Sequence, residues 1–288
     1  MQKYLSLFAL FFLASAGAQE DAWIYFNDKP QAAFYLDNPL EMLSQRSLDR
    51  RTTQNIPLDF FDVPIEQSYI DQVAATAVTV MAKSKWLNAV HVRGVAADIY
   101  PLANLSFVAS IDFADNALDS SDLSAISTSM AARPAAVQAD FQYGNSANQI
   151  EMLNGHLLHQ QDFTGDGKII AIMDAGFPQV DAAQPFQRLW DNGLILGGYN
   201  FVDGNNNIYS GNNHGTLVLS TMGGYAPNQL VGTAPDASYY LFITEDINSE
   251  TPVEESYWVE AAEMADSLGV DVINTSLGYM YFDNPAYD

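Results

Sequence analysis

From residue 168 to the end of the chain, apolar runs of strand length alternate with stretches of helical periodicity, and this pattern leaves few folds open. Residues 168–174, 239–243 and 270–274 are rich in Ile, Val, Tyr, Phe and Leu, whereas residues 215–222 and 254–268 carry helical spacing. Strands that lack a polar alternation are buried on both faces, so the expectation is an α/β domain built on a doubly wound parallel sheet. Ligands of such sheets bind beyond the carboxyl ends of the strands. Asp174 stands at one of those ends. With 288 residues and 48% apolar content, the chain can fill a substantial core.

The remainder divides by texture. Residues 1–18 open with a lysine, run through a short apolar stretch and finish at Ala16-Gly17-Ala18, the layout of a secretory signal peptide. The apolar run is shorter than the roughly 20 residues a membrane span needs. Residues 19–115 predict a small α/β domain, with strands near 23–26, 77–81 and 106–111 and helices near 44–51 and 69–75. Residues 116–148, rich in Ser, Ala, Asp, Asn and Gly, predict a linker, and residues 149–288 form the second domain. The expected location is secreted or at the cell surface.

Charge and cysteine content exclude several classes. The net charge is −24, and from Glu151 onward 19 acidic residues face only Lys168 and Arg188. Such a surface repels nucleic acid and anionic membranes, so neither is expected as a partner once the signal is removed. The chain contains no cysteine, which excludes disulfides, a thiol nucleophile and thiolate metal sites. No His-Glu-x-x-His pattern occurs, so a zinc peptidase is excluded. Asp162 to Gly167 resembles the start of a calcium loop, but Met173 stands where the closing glutamate belongs. Asp203 to Asn207 offers further oxygens. No metal is expected in the reaction, and calcium is allowed only as a structural ion.

Two segments carry chemistry. Asp174 leaves a buried strand at a partly desolvated edge, where a carboxylate needs a donor. His214 opens a helix and, paired with an aspartate, suits a general base. Gly215 is expected to leave room beside the ring for a substrate backbone, and Thr216 to satisfy nearby polar groups. A third segment, Ser276-Leu277-Gly278, exits a buried strand with free backbone donors and acceptors that would receive an extended peptide as an added strand. His91, His156 and His159 lack a comparable context.

Taken together, the segments ending Ile172-Met173-Asp174-Ala175-Gly176, His214-Gly215-Thr216, Val231 to Ala237 and Val272 to Gly278 resemble the subtilisin-like (S8) serine peptidases in order and spacing. The resemblance covers about residues 141–288 and implies the N-terminal part of that catalytic domain. It implies Asp174 as orienting carboxylate, His214 as general base and acid, and Ser276, Leu277 and Gly278 as a wall of the substrate cleft. Details around Phe177, Glu245 and Glu254 resemble the exported branch of Bacteroidetes-type bacteria, and residues 23–112 resemble an inhibitory and chaperoning propeptide. Two positions depart from the family: Ala175 replaces a Ser or Thr, and Leu217 replaces a second histidine.

No serine of the required context follows His214, so the resemblance implies a nucleophile and an oxyanion-hole asparagine beyond Asp288. Ser129, in Ser127-Thr128-Ser129-Met130-Ala131, mimics the nucleophile signature but precedes both partners and has no strand before it. Asn274 is a strand residue rather than the oxyanion asparagine. The expected function is therefore a secreted serine endopeptidase acting on polypeptides, made with its own propeptide and needing no cofactor, with the 288 residues alone inactive. The competing expectation is a non-catalytic inhibitor or pseudoenzyme, in which the basic residues Arg46, Arg50, Arg51, Lys83 and Lys85 complement an acidic peptidase surface.

Overall fold

The computed structural model describes residues 18–119 and 141–288. Most of the signal-peptide stretch, and Ser129, lie outside the described residues. The N-terminal unit is an antiparallel sheet of β1 (Gln19–Phe26), β2 (Thr79–Ser84), β3 (Ala89–Val95) and β4 (Val108–Phe113) in the order β2-β3-β1-β4. Helices α1 (Gln45–Gln54) and α2 (Gln67–Ala74) lie between β1 and β2. Ile24, Val73, Val90, Val92, Ile99 and Phe113 form its core.

The second unit contains the expected parallel sheet. Its strands β5 (Ile169–Asp174), β6 (Ile195–Asn200), β9 (Ser238–Ile243) and β10 (Val272–Thr275) run in the order β10-β5-β9-β6, all parallel. A short ribbon of β7 (Tyr225–Ala226) and β8 (Leu230–Val231) lies apart from it. Every residue of β5 is buried. Successive side chains alternate between faces: Ile170 and Ile172 pack with Phe177, Leu189, Leu219 and Leu241 near helix α3 (His214–Gly223), and Ala171 and Met173 pack with Tyr257, Ala261 and Ala265 of helix α4 (Pro252–Leu268). The continuous apolar strand thus reflects two covered faces.

Helix α4 also joins the units. Ala82 and Met81 of the N-terminal sheet and Trp86 of the turn after β2 pack into the cluster formed by α4 and β5. Residues 142–146, inside the stretch expected to be linker, belong structurally to the second unit. Asn228 N donates to Gln142 O at 2.9 Å, Asn145 N donates to Gln229 O at 2.9 Å, and Ser146 Oγ donates to Val231 O at 3.1 Å.

The start of α4 carries a pH-sensitive group. Buried Glu254 accepts hydrogen bonds from Thr251 N at 3.2 Å and Asp246 N at 3.3 Å. Burial, assisted by the charges of Glu245 and Glu250, pushes its carboxyl up to about 8 against the pull of those amides. The folded protein therefore holds a proton that the unfolded chain releases near pH 4.5, and stability declines as pH rises between these values. A melting-temperature series from pH 5 to 8 is expected to fall by on the order of 5 °C from this group. Glu254→Gln should flatten it, and an equal slope in that variant would remove Glu254 as the cause.

Candidate active site

Asp174 is the last residue of β5 and is fully buried. Its Oδ1 accepts the amide of Ala175 at 2.7 Å, and its carbonyl accepts Thr244 N at 3.0 Å. At Ala175, where the family has a hydroxyl, the backbone amide of the same residue provides the donor.

His214 is the first residue of α3. Its Nδ1 lies 2.8 Å from Asp174 Oδ1 and 3.0 Å from Oδ2, so the two residues, 40 positions apart in sequence, form one unit. The imidazole side chain is 48% exposed while the carboxylate is fully buried. With Nδ1–H donating to the carboxylate, the neutral ring presents Nε2 as an open acceptor. Nε2 makes no hydrogen bond with the described residues. Such a nitrogen can take a proton from a nucleophile placed beside it.

Local backbone chemistry fixes this pair. Asn212 Oδ1 accepts His214 N at 2.9 Å, an Asx turn that starts the helix at the histidine. The Asn212-Asn213 pair ahead of the helix is the sequence signal for this positioning residue, which sequence reasoning missed. Gly215 differs from the expectation that it clears space for substrate. A Cβ there would lie 2.5 Å from Gly176 O, 2.8 Å from the Phe177 ring and 2.9 Å from Asp174 Cβ. Its missing side chain brings the helix against β5 and sets the Asp174 to His214 distance. Thr216 Oγ1 donates to Pro178 O at 2.8 Å, tying the first turn of the helix to the loop after β5. Leu217 is exposed.

Ser276, Leu277 and Gly278 continue from β10 without regular secondary structure. The β10 to β5 register pairs Thr275 with Met173, so the chain leaves the sheet beside Asp174. Ser276 and Gly278 are exposed, and a Cβ at Gly278 would meet nothing within 4 Å. Immediately beyond, the Tyr279 hydroxyl donates to Glu245, which follows β9. Burial and the nearby charges of Glu250 and Asp174 raise the Glu245 carboxyl, opposed by the Tyr279 hydrogen bond. This contact ties the segment after β10 to the segment after β9, across the carboxyl end of β5.

The other histidines are placed elsewhere. His91 contacts Ser256 Oγ at 2.6 Å and Asp21 at 3.0 Å between the two units, and His159 contacts Tyr143 and the Thr233 carbonyl. Among the described residues no three His, Asp or Glu side chains gather as metal ligands. The Asp203 loop uses its oxygens internally: Asn200 Nδ2 donates to Asp203 Oδ2, and Asp203 N donates to Asn200 Oδ1, both at 2.9 Å. In the 162–167 turn, the Thr164 carbonyl accepts Asp236 N and the Gly165 carbonyl accepts Lys168 N.

The site is thus a buried aspartate at the end of a parallel strand held against a histidine that opens a helix. Residues 165–286 match the model of the subtilase family, and residues 21–130 match the peptidase S8 propeptide domain of Bacteroidota. The chain belongs to the subtilisin-like S8 peptidases and carries an N-terminal propeptide domain. It is 31% identical over 131 residues to subtilisin E of Bacillus subtilis, covering 45% of this chain and 32% of that protein. It is 36% identical over 130 residues to subtilisin DY of Bacillus licheniformis, covering 45% of this chain and 43% of that protein. The aligned part spans about a third to less than half of these relatives. The fold is similar to that of fervidolysin from Fervidobacterium pennivorans, described as a keratinolytic enzyme related to subtilisin. That similarity has a TM-score of 0.52 at 13% identity and covers 96% of this chain and 39% of the other.

Proposed function

We propose that this chain is the propeptide and the Asp–His part of a secreted serine endopeptidase. The observation that carries the reading is the buried Asp174 carboxylate 2.8 Å from His214 Nδ1, with Nε2 left open. In the proposed reaction, His214 takes the proton of a serine hydroxyl as that oxygen attacks the peptide carbonyl, then returns a proton to the leaving amine. Asp174 holds the tautomer and stabilises the imidazolium. Ser276 to Gly278 align the polypeptide as an added strand. No cofactor enters this scheme, and calcium, if bound, serves only as a structural ion. Export follows from the signal-like residues 1–18; among the described residues no helix is long and apolar enough to cross a membrane.

The test is hydrolysis of casein by the protein purified from its native source, with and without His214→Ala. Hydrolysis that disappears in the variant and is blocked by a fluorophosphonate supports the reading. A native protein that hydrolyses nothing overturns it and favours the second reading, an inhibitor or pseudoenzyme. The docking of the N-terminal sheet onto α4 is the observation behind that alternative.

A further inference from the structure

Helix α4 ends in an electrostatically unfavourable way. The carbonyl end of a helix carries about half a negative charge and favours cations, yet the last turn of α4 contains no basic residue and does contain Asp266. Asp271 follows just before β10. Among the described residues of the second unit, the cation near this corner is Lys168, 3.8 Å from Asp271 and largely exposed. Two carboxylates and a row of backbone oxygens thus converge with little to balance them.

The balance comes from helix α1 of the N-terminal unit. Arg46 and Arg50, four residues apart, share one face of it, and the adjacent Arg51 reaches the same corner from the side. Arg46 pairs with Asp271 at 2.5 Å and donates to Gly269 O at 3.0 Å and Gly167 O at 3.1 Å. Arg50 pairs with Asp266 and donates to Val270 O at 3.1 Å. Arg51 pairs with Asp266 and with Asp62, both at 2.6 Å. Ser47 Oγ donates to Asp266 O at 2.8 Å, and Ser44 N donates to Ser267 O at 2.9 Å. Gly269 permits the approach: a Cβ there would lie 2.7 Å from Ser47 N.

The N-terminal sheet docks differently. It meets α4 through apolar side chains, through backbone amides that donate to Glu260 and Glu263, and through the Lys85 ammonium, which donates to the Ser267 hydroxyl at 2.7 Å. Two modes of attachment therefore exist, one of direct arginine–carboxylate pairs and one built on packing and hydrogen bonds. Ion pairs weaken as the screening length falls to about 3 Å in 1 M salt, the half-exposed Arg46 pair first and the largely buried pairs of Arg50 and Arg51 less, whereas apolar burial does not weaken.

We propose that α1 is an ionic latch, separate from the sheet contact, that opens with rising salt and frees the root of β10, the strand leading to Ser276–Gly278. The proposal rests on the reading of the N-terminal unit as a propeptide only for its use as a regulator of that cleft. The latch itself needs no peptidase activity.

The chain lacks cysteine, so pairs of spin labels can be placed freely. Gln54→Cys with Asp166→Cys reports α1 against the second unit, and Thr79→Cys with Thr221→Cys reports the sheet contact. In 50 mM NaCl both pairs should give narrow distance distributions. In 1 M NaCl the 54/166 distribution should lengthen and broaden while 79/221 stays fixed. Arg50→Glu should lengthen 54/166 even at low salt, and Arg50→Glu with Asp266→Arg should restore it. A 54/166 distance unmoved by salt overturns the latch, as does joint lengthening of both pairs. If Arg50→Glu does not fold, the salt titration of the unaltered protein decides alone. A salt-released α1 on a protein without hydrolytic activity would sustain the latch and remove the peptidase reading; a fixed α1 on an active peptidase would do the reverse.

Discussion

Asp174→Asn is expected to lower the kcat of the proposed peptidase by on the order of 10⁴-fold with little change in KM. The carboxylate of Asp174 is fully buried and receives the Nδ1–H of His214, so the proton of the neutral ring resides on Nδ1 and Nε2 accepts. An asparagine amide keeps the volume and one acceptor oxygen, and its NH₂ group can instead donate to Nδ1. The ring then carries its proton on Nε2 and cannot act as a base toward a hydroxyl. The charge that stabilises the imidazolium is lost as well. The substrate contacts proposed along Ser276 to Gly278 would be untouched, which is why KM should hold. Nitrogen chemical shifts of His214 supply the independent readout: protonation at Nδ1 in the parent protein and at Nε2 in the variant. A variant within tenfold of the parent rate would remove Asp174 from the mechanism.

The Asp–His pair was legible in the sequence because each half is local. An apolar run ending in Asp174 and a histidine opening a helix are readable from neighbours alone, and the parallel sheet arranges their meeting. Two strands of the four-stranded sheets were missed for opposite reasons. β3 contains His91 and Arg93, which interrupt its apolar pattern. Their partner is Asp21 on the neighbouring strand, with Ser256 of α4 also facing His91. Strand character there depends on residues far away in sequence. β6 contains Gly197-Gly198, which resembles a turn. A Cβ at Gly198 would lie 1.7 Å from Leu241 O, so the glycine permits the close approach to β9, and Gly197 takes φ 117° where the register shifts. On α4, the carboxylates at 260, 263 and 266 look like a solvated face in one dimension, and only the fold shows that each accepts hydrogen bonds from the N-terminal unit.

Among those carboxylates Glu263 should matter most for stability. It is buried, and it accepts three donors from one turn of the N-terminal unit: Ser84 Oγ at 2.5 Å, Lys85 N at 2.9 Å and Trp86 N at 3.0 Å. Ser84 Oγ in turn accepts Leu87 N at 2.9 Å. Buried Lys29 holds the other side of the turn, donating to Lys85 O at 2.7 Å, and burial lowers its ammonium to about 8. Glu263→Ala would strand two backbone amides and a hydroxyl at a buried interface, a loss of about 3–5 kcal/mol. Alanine is the best helix former, so propensity works against the loss and cannot produce it. Glu263→Gln retains one acceptor oxygen but turns an NH₂ toward the amides, and should fall between. Urea unfolding gives the magnitude, and hydrogen exchange at Lys85 and Trp86 locates it. A cost below about 1 kcal/mol for the alanine variant would mean that apolar packing and the arginine contacts of α1 join the units without Glu263. A large cost that 1 M salt leaves unchanged would separate this neutral-donor anchor from the ionic contacts of α1.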